Sequence, residues 1–137
     1  MKKIYFILFA SICFLVTSCE NKPELVIMQV SPQTVSMTDA SISLIIENQT
    51  RGNLEFGTYF HLQFFNNENW ETIQFDFSFL DIALLVWAGR TEELRLLSGE
   101  SFAKYIVKPG KYRIIKDDFN SESLGRLELS AEFQMVE

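Results

Sequence analysis

Between residues 127 and 135 the sequence alternates strictly, with Leu127, Leu129, Ala131, Phe133 and Met135 set against Glu128, Ser130, Glu132 and Gln134. A period of two sends successive side chains to opposite faces of an extended strand, so this segment needs a core on one side and water on the other. The same period recurs in Phe60, Leu62 and Phe64 against His61 and Gln63, and in Ile42, Leu44 and Ile46 against Ser41, Ser43, Ile45 and Glu47. No helical spacing accommodates these rows. Isolated strands and hairpins are not stable in water, so the rows must meet across a second apolar layer, which points to an all-β chain.

Residues 56–75 read as two strands joined by the polar turn Asn66 to Asn69. The run 25–30 is an edge strand stopped by Ser31-Pro32, because proline cannot continue a ladder. Residues 48–53 form a turn. Phe75, Phe77 and Phe79 alternate with Asp76 and Ser78 and read as a row of core rings, with an exposed platform for sugar rings as the alternative. Residues 81–87, 93–97, 102–107 and 109–115 are expected as further short strands, and 117–125 as a polar loop. Counting gives about seven to nine strands with regular turn signals, the pattern of an antiparallel β-sandwich.

The 137 residues suffice for one domain with a substantial core, and the 13 phenylalanines favour strands. The formal charge of −6 falls to about −8 once Lys2 and Lys3 are set aside, which disfavours nucleic acid and anionic lipid as partners. Both cysteines, Cys13 and Cys19, precede the strand pattern, leaving it no disulfide and no thiolate for a metal cage. His61 is the single histidine, so there is no His pair for a metal and no cofactor is expected.

Residues 1–18 have the layout of a secretory signal: Lys2 and Lys3, then an apolar run from Ile4 to Val16. About 20 apolar residues are needed to span a bilayer, and this run is shorter. It ends in Leu15-Val16-Thr17-Ser18-Cys19, which resembles the bacterial lipoprotein signal. The resemblance implies cleavage between Ser18 and Cys19, acyl chains on Cys19 and an envelope location, most consistent with the outer membrane. Residues 19–24 then serve as a lipidated tether and 25–137 as the folded domain. The membrane is contacted by the lipid rather than by the domain.

Pro109-Gly110-Lys111-Tyr112-Arg113-Ile114 resembles the Gly-x-Tyr-x-Cys of an immunoglobulin strand, with Ile114 in the cysteine position. That resemblance implies a corner in which the Tyr112 hydroxyl bonds back to the main chain. The order of motifs from about residue 25 to 136 resembles the bacterial immunoglobulin-like domains of secreted lipoproteins. It implies an immunoglobulin-like sandwich without the antibody cysteines. Trp70 follows the third strand, so it is a structural residue distinct from the antibody core tryptophan.

No nucleophile elbow, phosphate loop or His-Glu-x-x-His occurs. A catalytic triad would have to recruit His61 from the middle of a strand, and Glu68, Glu71, Asp76 and Asp81 read as a solvated face. Asp118, Asn120 and Glu122 have calcium-loop spacing, but Ser123 replaces the loop glycine and Leu129 the bidentate acid. The leading expectation is therefore a non-enzymatic, envelope-anchored module that binds a protein or glycan by a sheet face or end loops. An envelope hydrolase or enzyme inhibitor is the alternative. Tyr59, His61 and Phe65, opposite the Phe60, Leu62 and Phe64 row, form the candidate binding face.

Overall fold

The computed structural model describes residues 22–39, 41–106 and 108–137. The expected signal peptide, the Ser18–Cys19 cleavage and the lipidation of Cys19 lie outside the described residues. Ten strands appear: β1 (Val26–Ser31), β2 (Thr34–Ser36), β3 (Ser41–Asn48), β4 (Leu54–Phe56), β5 (His61–Phe65), β6 (Trp70–Ile73), β7 (Leu84–Val86), β8 (Thr91–Ser98), β9 (Gly110–Ser121) and β10 (Gly125–Val136). A single helical turn, α1 (Glu100–Ala103), precedes β9. The first sheet has the order β1-β3-β8. The second runs β2-β10-β9-β4-β7, with β5 also on β9 and β6 on β5. All pairings are antiparallel except β2 with β10.

Ten strands exceed the expected seven to nine because a short strand follows the expected first one and one expected segment is divided. β1 stops at Ser31, and past the cis Ser31–Pro32 peptide the chain moves to the other sheet as β2, beside β10. The expected first arm of the hairpin is likewise cut into β4 and β5, which take different stretches of the long strand β9.

The alternation of β3, β9 and β10 delivers Ile42, Leu44 and Ile46 from one sheet, and Tyr112, Ile114, Phe133 and Met135 from the other, into one core. Each fully buried aliphatic or aromatic side chain contributes about 1.5–3 kcal/mol of transfer free energy, so this two-sided row is the main support of the fold. Gly110 opens β9 at φ +144, and a Cβ there would stand 2.7 Å from Phe64 Cε2. Only glycine lets the Phe64 ring lie against Tyr112, with centroids 4.9 Å apart.

Three sequence expectations are corrected. Residues 117–125 are not a loop: β9 continues to Ser121, and two residues, Asp117 and Asp118, oppose Glu128 alone in a β-bulge. The bulge reverses the phase, so Tyr112, Ile114 and Lys116 point inward before it and Phe119 and Ser121 after it. Of the expected strand 102–107, the described residues 102–106 are not strand either. Phe102 and Ile106, four apart, are both buried, and the Ile106 amide donates to the Phe102 carbonyl at 3.1 Å, a helical link. Finally, the alternating Phe75, Phe77 and Phe79 occupy an irregular segment with no ladder partner, and of 81–87 only β7 is strand.

Candidate functional site

The break between β4 and β5 is built by a buried lysine. Lys116 comes in phase with Tyr112 and Ile114, so its side chain enters the interior, where it is fully buried. Its Nζ donates to the Gly57 carbonyl at 2.9 Å and to the Tyr59 carbonyl, and stands 3.1 Å from Asp118 Oδ1. Asp118 Oδ2 accepts the Gly57 amide at 2.8 Å, and a Cβ on residue 57 would stand only 2.9 Å from that oxygen. Asp118 Oδ1 is buried with no hydrogen-bond donor of good geometry, and the ammonium answers its charge. Burial pushes the Lys116 amine below its ordinary value, and the Asp118 carboxylate offsets part of that push. Phe56 and Phe119 rings flank the ammonium at 5.2 and 5.6 Å.

Tyr59 is thereby held at the mouth of a cleft. Its ring meets His61 edge-on at 4.8 Å and Phe79 at 5.1 Å, and its hydroxyl lies 3.2 Å from His61 Nε2. Phe75, Phe77 and Phe79 form a ring cluster with centroids 4.9–5.8 Å apart, seated on Phe60 below and Tyr105 behind. Tyr59, Phe60, His61, Phe75, Phe77 and Phe79, with Thr72 and Gln74, line an open cleft of ≈ 350 Å³. Asp76, between the phenylalanines, accepts from Lys104 and from the Tyr105 hydroxyl. The Lys104 contact first, and then Tyr105, hold its carboxyl below the usual range. Thr58 Oγ1 donates to the Leu80 carbonyl at 2.6 Å, tying the far end of the segment.

The cleft sets aromatic rings beside exposed polar groups. Thr72 Oγ1 accepts from Gln63 Nε2 at 3.0 Å, which leaves its own proton free to donate. The Gln74 side chain is exposed, with no partner among the described residues. Such a surface can lay rings against the apolar face of a ligand and satisfy its hydroxyls at the edge.

Of the three candidate face residues, the structure brings Tyr59 and His61 together. Phe65 stands four residues away along β5, about 13 Å by strand rise. It belongs to a second cluster, 5.1 Å from Trp70, where the Arg113 guanidinium lies 4.2 Å above the indole. Arg113 also donates to Gln63 Oε1 at 2.7 Å, and Lys111 pairs with Glu132 at 2.8 Å, so the polar groups around that half-buried cluster are paired. Trp70 therefore packs on the outer face of the second sheet. The Tyr112 hydroxyl donates to the Lys108 carbonyl, four residues back, at 2.7 Å. Residues not singled out in sequence, Lys116, Thr72 and Gln74, complete the site. For Lys116 the signal was its place in the inward row of β9.

The calcium-spaced acids are committed elsewhere: Asp118 to Lys116 and Gly57, and Glu122 to the Asn53 amide at 2.7 Å. Among the described residues no cluster of His, Cys, Asp and Glu has a metal-holding arrangement.

A protein-family profile described as a bacterial Ig-like domain matches residues 22–134. No curated protein matches the chain. Among solved structures, similarity is found to an alkylpurine DNA glycosylase of Pseudomonas fluorescens, 13% identical, with TM-score 0.38 over 82% of this chain and 30% of that one. It is also found to a beta-glucosidase from Listeria innocua, 13% identical, with TM-score 0.37 over 83% of this chain and 16% of that one. The chain thus spans less than a third of either structure.

Proposed function

Because the chain belongs to the bacterial Ig-like domain family, we propose that it is a non-enzymatic binding module that takes a glycan in the cleft of Tyr59, His61, Phe77 and Phe79. Domains of this family are commonly accessory modules without catalysis. The observation that carries the reading is the cleft itself: aromatic rings set beside free polar groups at Thr72 and Gln74. A pyranose has an apolar C–H face and a hydroxyl rim, which match those rings and those polar groups. Acyl chains on Cys19, after cleavage at Ser18–Cys19, hold the module at the envelope, and the sequence pattern supports this.

Two experiments test the proposal. Calorimetric titration with envelope polysaccharide fragments should show binding that Tyr59→Ser with Phe77→Ser abolishes, and unchanged binding by the double variant would refute the cleft. Cys19→Ala should lose incorporation of a palmitate analogue, and label remaining on that variant would refute the anchor.

A further inference from the structure

β8 forms one edge of its sheet along all eight residues. Its inner side pairs with β3, and among the described residues nothing pairs with its outer side. Three depressions follow that free edge. The first, ≈ 120 Å³, lies between β7 and Glu92 to Leu94. The second, ≈ 210 Å³, lies between Phe77 to Leu80 and Leu94 to Leu96. The third, ≈ 440 Å³, lies between Leu96 to Ser98 and Tyr105. Beside them Leu80, Ile82, Leu85 and Trp87 are 72, 49, 42 and 60% exposed. A long unpaired edge beside exposed apolar side chains is a template for another strand.

We propose that the occupant is β8 of a second copy of this chain, antiparallel about a two-fold axis through Leu94. Leu94 opposes the buried Leu44, so it faces the core, and Glu93 and Arg95 face outward. Neither Glu93 nor Arg95 makes an ion pair within the chain among the described residues. Residues directly opposed in a ladder share a face, so the axis passes through a residue and not between two. Centred on Glu93, the pairing sets Glu93 against the second copy's Glu93. Centred on Arg95, it sets arginine against arginine. Centred on Leu94, it sets each Glu93 against the other copy's Arg95 and Leu94 against its own image in the groove. Like charges directly opposed in a ladder are destabilising and opposite charges stabilising, so among these three registers the charges favour the one centred on Leu94.

This proposal does not rest on the glycan reading. Two differently tagged full-length copies, expressed together and extracted in detergent, should co-purify. Arg95→Glu or Glu93→Arg in both copies opposes like charges and should cut co-purification by about tenfold, the effect of roughly 1.4 kcal/mol. One copy carrying Glu93→Arg and the other Arg95→Glu should restore it, because each charge again meets its opposite. Both side chains are exposed, so melting curves should match the parent protein. Equal co-purification in every combination, or none with the parent pair, overturns the proposal. So does loss of a different protein from the extract while copies of this chain never associate.

Discussion

The molecule has two regions that treat polar groups in opposite ways. At the end of β3 and around the bulge of β9, polar side chains are buried and satisfied. Asn48, fully buried, donates to the Gly52 and Val86 carbonyls at 2.9 and 3.0 Å and accepts from the Thr50 amide at 3.1 Å. Lys116 does the same for the break between β4 and β5. Along residues 74–88 the reverse holds: the chain is mostly irregular, and Phe77, Leu80, Ile82, Leu85 and Trp87 face water. Buried amides and ammonium groups fix main chain where no ladder can, because an unpartnered group there is costly. The apolar segment, held on this frame at Thr58 and Asp76, is left free for contact with something else.

The sharpest way to break this contrast is Lys116→Met. It removes the donor to two carbonyls and leaves the half-buried Asp118, with its Oδ1 atom buried, without its counter-charge, so denaturant melts should show a loss of about 3–5 kcal/mol. Asn48→Ala leaves two carbonyls and the Thr50 amide without their partner and should cost about 1–3 kcal/mol in the same assay.

Tyr112→Phe removes one hydrogen bond from an otherwise packed ring and should cost about 0.5–1.5 kcal/mol near neutral pH. Its pH dependence is a finer test. Burial raises the Tyr112 phenol above its ordinary value of 10.0, so in alkali the unfolded chain loses this proton first. The corresponding stability is present below the unfolded value and is lost as pH rises towards the folded one. The gap between parent and Tyr112→Phe should therefore narrow above pH 10.0, as followed by melts at stepped pH. A constant gap would contradict the burial account.

Much of this frame was legible in the residues. The rows of β3, β5 and β10 alternate so regularly that their inward faces follow from spacing alone. The bulge was not legible, because Asp117-Asp118 has the composition of a loop while its role depends on Lys116, whose burial only the folded chain reveals. Phe102 to Ile106 misled for a different reason: a single i, i+4 pair is too short to display a helical period. The Phe75, Phe77 and Phe79 row has strand spacing, yet it is tied by ring contacts and the Asp76 contacts instead of a ladder. That Tyr59 and His61 share a face was readable from alternation. The separation of Phe65 from them follows from strand rise along β5, and its contact with Trp70 comes from the pairing of β5 with β6.

The most direct measurement of the central claim is an NMR titration of the isotope-labelled protein with envelope polysaccharide fragments, read residue by residue. The account predicts shift changes concentrated at Tyr59, His61, Thr72, Gln74 and Phe77, with Phe65, Trp70 and the Lys116 frame unmoved. Changes centred on Phe65 and Trp70, or a saturating interaction that bypasses the cleft, would contradict it.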